Sequence, residues 1–188
     1  MSLAELGISP GKVETIEQVG HYVDDPLAAF AHLCGNKNNA LLLESAEIDS
    51  KDDLQSLLMV DAALRMECWD NRVEVKALTG NGASVLPLFV ELAPDGLHIK
   101  ERTDTSITLV CDQADGELDE DSRLKAASVM DALRIVINKI TPIRQHPHAV
   151  FLGGVFAYEM LAGFEKLPDV AEGENDCPDF VFYLAETL

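Results

Sequence analysis

The residues best able to do chemistry stand together at Leu41-Leu42-Leu43-Glu44-Ser45. A carboxylate and a hydroxyl follow directly on three leucines. A carboxylate beside a hydroxyl can hold an ammonium group, and a leucine wall suits a ring. A free aromatic amino acid carries both parts. On the residues alone a plainer account comes first: a strand ends, Glu44 points to water and Ser45 caps the turn.

The other clusters offer less. Asp112, Asp115-Gly116, Asp119, Glu120 and Asp121 form an acidic loop. With Gly116 at the invariant glycine of a calcium loop, the first ligand position falls on Cys111 and the last on Ser122, and neither fits. His146-Pro147-His148 has no carboxylate or thiol at ligand spacing, and its proline spoils a regular element. His21, His32 and His98 are isolated. Gly80-Asn81-Gly82 and Gly153-Gly154 match neither phosphate-binding glycine pattern, and no G-x-S-x-G elbow occurs. No catalytic residue and no metal ligand is assigned.

These groups need elements to position them. Asp24-Asp25-Pro26 starts a helix carrying Leu27, Phe30 and Leu33, which Gly35 can end. Leu41–Leu43 reads as a buried strand. Ser50 is expected to cap a second helix, with Asp53 completing the box and Leu54, Leu57, Leu58 and Ala62 on its apolar face. Residues 65–69 and 72–77 read as a hairpin turning at Asp70-Asn71. Gly80-Asn81-Gly82 breaks the chain before a short helix over 85–92, with Pro87 near its first turn. Residues 107–111 form a strand, and 123–140 the longest helical pattern. Residues 149–158 form a strand interrupted by Gly153-Gly154, and 180–185 a last strand. Hairpins mixed with helices predict an α+β fold with a mixed or antiparallel sheet.

The composition narrows the function. Among 188 residues, 47% are hydrophobic and 25% charged, as in ordinary globular proteins. The net charge of −19 argues against nucleic acid and anionic membranes as partners. No apolar run long enough for a membrane span and no signal peptide are visible. Cys34, Cys68, Cys111 and Cys177 are widely spaced, which fits reduced thiols in a cytoplasmic protein. The chain stops at Glu186-Thr187-Leu188, directly after an apolar strand. A terminal strand must be tied down to be ordered, so a continuation is expected.

Several long segments resemble one family. LLLESAEIDSKDDLQSLL over 41–58, FLGGVFAYEMLAGFEKLP over 151–168, Asp119 to Leu124, and Cys177-Pro178-Asp179-Phe180 with Phe182 to Thr187 are similar to the N-terminal region of anthranilate synthase component I. The resemblance implies a variable segment over 1–20 and the N-terminal regulatory region over 21–188, with the C-terminal catalytic region absent. It implies that the complete enzyme converts chorismate and glutamine-derived ammonia to anthranilate and pyruvate. Mg²⁺ and a glutamine amidotransferase component II would serve that enzyme, with no cofactor in this part. It further implies a tryptophan feedback site at Leu43, Glu44 and Ser45. A lysine that often joins this site from the next helix is replaced here by Gln55, which hydrogen-bonds without charge; Lys51 is a candidate to compensate. Two other readings are aminodeoxychorismate synthase component I and a free-standing amino-acid-binding module.

Overall fold

The computed structural model describes residues 11–45, 55–112, 126–158, 160 and 177–188. Helix α1 (Pro26–Cys34) begins as its sequence predicts. The Asp25 carboxylate accepts from Ala28 N at 2.9 Å, and Gly35 ends it at φ 54°. Strand β2 (Leu41–Glu44) then pairs antiparallel with β3 (Ser56–Met59).

The helix expected from Ser50 through Ala62 is not formed over its described part. Ser50 and Asp53 lie outside the described residues. Leu57 and Leu58 lie in β3, and Ala62 lies in β4 (Asp61–Trp69). The reason is burial on both faces: Ala62, Ala63 and Leu64 are all at most 5% exposed. A strand covered on both sides is apolar throughout, and such a run imitates helical spacing.

Strand β4 turns at Asp70-Asn71 into β5 (Arg72–Ala77), as predicted, with Asp70 at φ 53°. Gly80-Asn81-Gly82 does not break the chain. It opens helix α2 (Gly80–Leu92), capped by Thr79 Oγ1 on Gly82 N at 3.2 Å, and Pro87 lies inside the helix. Glycine is needed at 82 because a methyl there would sit 1.9 Å from Ala63 O. Strands β6 (Leu97–Arg102) and β7 (Ser106–Cys111) follow. The first was not anticipated: its Lys100, Glu101 and Arg102 are edge-strand charges that hide an apolar pattern.

The expected 123–140 helix is shorter. Residues 123–125 lie outside the described residues, and α3 runs over Met130–Lys139. The Asp131 carboxylate accepts from Ser128 N at 2.8 Å and closes the helix start there. Short β8 (Thr141–Pro142) pairs in parallel with β1 (Lys12–Val13), which ties the first segment to the end of α3.

Strand β9 (Leu152–Phe156) runs through Gly153-Gly154 without interruption and pairs with β10 (Phe180–Thr187). The main sheet is antiparallel in the order β6-β7-β5-β4-β10-β9. With the three helices of the described residues, this is the predicted α+β architecture. The face carrying Leu64, Met66, Val73, Val75, Leu109 and Phe180 joins α2 and α3 in one core.

The two glycines of β9 differ. Gly154 pairs with Phe182 on the core face, where a methyl would lie 2.1 Å from Val181 O and 2.7 Å from Phe182 Cα. Gly153 pairs with Tyr183 on the other face, where a methyl would meet the side-chain ends of Leu41 and Phe151. Backbone cannot yield as side chains can. Gly154→Ala should therefore cost about 3 kcal/mol, and Gly153→Ala under about 1 kcal/mol. Urea midpoints of the two variants check the order; equal losses would contradict this register.

Candidate functional site

The Leu41–Ser45 run forms one arm of a two-stranded ribbon. Leu41 faces Met59, Leu42 faces Leu58, Leu43 faces Leu57 and Glu44 faces Ser56. Side chains alternate along a strand. Leu43 and Leu57 thus share one face of the ribbon, and Glu44 and Ser56 share the other. Leu43 is 46% exposed, so its side chain is open to a ligand. Glu44 and Ser45 are exposed as well.

The ribbon closes at its open end through Ser45 and Gln55. Ser45 N donates to Gln55 O at 3.0 Å. Gln55 N donates to Ser45 Oγ at 2.8 Å, and the hydroxyl donates back to Gln55 O at 3.2 Å. The Ser45 side chain thus acts as a clasp on the backbone of residue 55. Leu43, Glu44, Ser45 and Gln55 are brought together as a cluster. Gln55 lies directly before β3 and not on a helix. Lys51 lies outside the described residues.

The ribbon is anchored at its other end. Met59 is fully buried. Lys37 Nζ pairs with Asp61 and reaches Val60 O at 3.5 Å, and Val60 N donates to Thr187 O at 2.9 Å. A cleft lined by Lys37, Asn39, Asp61, Thr79 and Glu186 lies at this base, away from the open end. Nothing in the sequence singled out Lys37, because its partners are distant in the chain. Gly153, the glycine under Leu41, was visible only as an unexplained pair with Gly154; it is a site of close approach.

His146 Nδ1 accepts from His148 N at 3.1 Å, and the His148 ring meets the Phe151 ring edge-on. Among the described residues no three of His, Cys, Asp and Glu converge as a metal site. The acidic loop lies outside the described residues from 113 to 121. Burial, then Asp179 and Asp70, push the Cys68 thiol up to about 12. Burial, then Asp131 and Asp112, raise that of Cys111. Neutral buried thiols are poor nucleophiles. Among the described residues no helix is long and apolar enough to cross a membrane.

Comparison with known proteins decides the family. No family model matches the chain. Anthranilate synthase component 1 of Escherichia coli K12 is 46% identical over 176 residues, 94% of this chain and 34% of that protein. The Vibrio parahaemolyticus protein of the same name is 46% identical over 178 residues, 95% of this chain and 32% of its own. That of Buchnera aphidicola from Acyrthosiphon pisum is 38% identical over 173 residues, 92% and 33%.

The chain corresponds to the N-terminal region of anthranilate synthase component 1.

It spans about a third of the length of these relatives. In this anthranilate synthase region, two measurements check the local chemistry. Ser45→Ala leaves Gln55 N without its hydroxyl acceptor, at a cost of about 1 kcal/mol. Amide exchange at Gln55 should quicken while that at Leu64 stays unchanged. Cys68 provides the second. Its folded thiol keeps the proton to about 12, whereas its ordinary value is 9.0. Between these values the folded state holds more protons, so stability falls as pH rises. Cys68→Ala should lose less stability than the parent chain between about pH 9 and about pH 12, read from urea midpoints.

Proposed function

We propose that this chain is the tryptophan-sensing region, over 21–188, of an anthranilate synthase component 1. The complete enzyme would convert chorismate and ammonia drawn from glutamine into anthranilate and pyruvate. A catalytic region beyond this one, Mg²⁺ and an amidotransferase component II would complete it. The observation that carries the reading is the clustering of Leu43, Glu44, Ser45 and Gln55 at the open end of the β2–β3 ribbon. The names of the relatives support the enzyme assignment.

The cluster suits one wall of an amino-acid site. The Leu43–Leu57 face receives an indole ring, and the Glu44 carboxylate receives the ammonium group. Glu44 and Leu43 lie on opposite faces of the ribbon. A ligand touching both must lie across the open end, so a second wall has to enclose it. The Gln55 amide can donate to the inhibitor's carboxylate. Chorismate, with two carboxylates, has little reason to bind a surface of net charge −19. Inhibition then works by population: tryptophan binds better to an arrangement of the two regions that turns chorismate over poorly.

Tryptophan titrations of the complete enzyme test this reading. Ser45→Phe should raise the tryptophan concentration for half-inhibition by at least about tenfold, since it opens the clasp and fills the mouth. Gln55→Lys should lower it about threefold or more, because a charged donor binds a carboxylate more strongly than an amide does. Unchanged sensitivity in Ser45→Phe would sink the assignment.

A further inference from the structure

We propose that Gly153 is a positioning residue for tryptophan inhibition: it leaves room for the Leu41 side chain and so sets where the open end of the ribbon sits. The inference rests on the reading of that end as the tryptophan site.

A two-stranded ribbon alone is marginal in water, so its placement must come from what it rests on. Besides the burial of Met59, three contacts at its base bear on this placement. Lys37 pairs with Asp61, and Val60 joins β3 to β10 through Thr187 O. Leu41 is the third. It begins the arm that carries Leu43, Glu44 and Ser45, and its side chain covers the bare backbone of Gly153. The first two contacts hold the β3 side, and Leu41 rests the β2 arm on β9.

The fit is close. A methyl on Gly153 would lie 2.7 Å from Leu41 Cδ2 and 2.8 Å from Phe151 Cε1. Carbon atoms rest at roughly 3.5–4.0 Å, so Leu41 must retreat by about 1 Å. Four residue steps lead from Leu41 to Ser45, roughly 13 Å of extended chain. A displacement at one end of a short stiff arm is carried to the other. The atoms displaced are side-chain ends, so β9 itself remains paired. Gly153 therefore acts on the inhibitor through Leu41 and the arm, without touching it.

The test is a methylene moved across the contact. Gly153→Ala adds one carbon on β9, and Leu41→Val removes one on β2; the double variant L41V/G153A conserves volume. Each is made in the complete enzyme and assayed with ammonia, with and without tryptophan. Gly153→Ala should raise the tryptophan concentration for half-inhibition by roughly fivefold or more, with uninhibited kcat/KM for chorismate unchanged. L41V/G153A should return it to within about twofold of the parent enzyme. Parent-like sensitivity in Gly153→Ala overturns the proposal. So does a loss of uninhibited kcat/KM that accompanies the lost sensitivity and is not rescued by Leu41→Val, which marks a general folding defect. Ser45→Phe in the same assay separates the two ideas. If it is desensitised while Gly153→Ala is not, only the role of Gly153 fails. If neither is desensitised, the tryptophan site itself is elsewhere.

Discussion

Strand β10 holds this region together by lying between β4 and β9. Phe180 pairs with Cys68 on one side and Phe156 on the other; Leu184 likewise joins Leu64 to Leu152. Its inward residues Phe180 and Leu184 are buried, and the Phe156, Phe180 and Phe182 rings pack on one another. The pairing joins parts of the chain that are far apart, so its closure entropy must be met by this aromatic and aliphatic burial. Strand β9 is held in the sheet by β10 alone among the described strands. The ribbon in turn rests on β9 through Leu41. The candidate site therefore depends on β10 directly, through the Val60 N to Thr187 O bond at the base of the ribbon, and indirectly, through β9 and Leu41, although no residue of β10 belongs to it.

Local signals in the sequence were read well where the structure is local. Asp25-Pro26 and Gly35 bound α1 because caps act within one turn. Asp70-Asn71 joins β4 and β5 because charged and apolar residues alternate on either side of a short turn. The failures occur where tertiary burial decides. Leu57, Leu58 and Ala62 fit a helical stripe, yet Leu57 and Leu58 lie in a half-buried ribbon strand and Ala62 in a strand covered on both faces. Gly80-Asn81-Gly82 reads as a breaker, yet Thr79 caps a helix there and Gly82 lets α2 touch Ala63 O. Gly153-Gly154 reads as an interruption, yet it allows close packing on two opposite faces. Strand β6 was missed because a charged sheet edge carries little apolar alternation.

The site was legible in part. The leucine run beside a carboxylate and a hydroxyl is visible to the eye, and the family resemblance adds Gln55. What the residues alone do not convey is the pairing of residue 45 with residue 55, because it depends on a strand at 56–59 where a helix was expected. That pairing changes the meaning of Ser45. Its hydroxyl is engaged with the backbone of Gln55 in both directions, so it shapes the mouth of the ribbon before any ligand arrives.

This has a consequence for the proposed regulation. Ordering a flexible mouth would subtract from the free energy a ligand can supply. Here the clasp already fixes the backbone at residues 45 and 55, while Met59 and Lys37 fix the base. More of the binding energy then remains for discriminating between two arrangements of the sensing and catalytic regions, the only way an inhibitor can shift them. The placement of Leu43 and Glu44 on opposite faces works in the same direction. A ribbon edge offers no enclosed volume, so strong binding requires the second wall. Under the proposed regulation, an inhibitor held in this way would bind tightly only when the two regions close on it, and that dependence would be the source of the coupling.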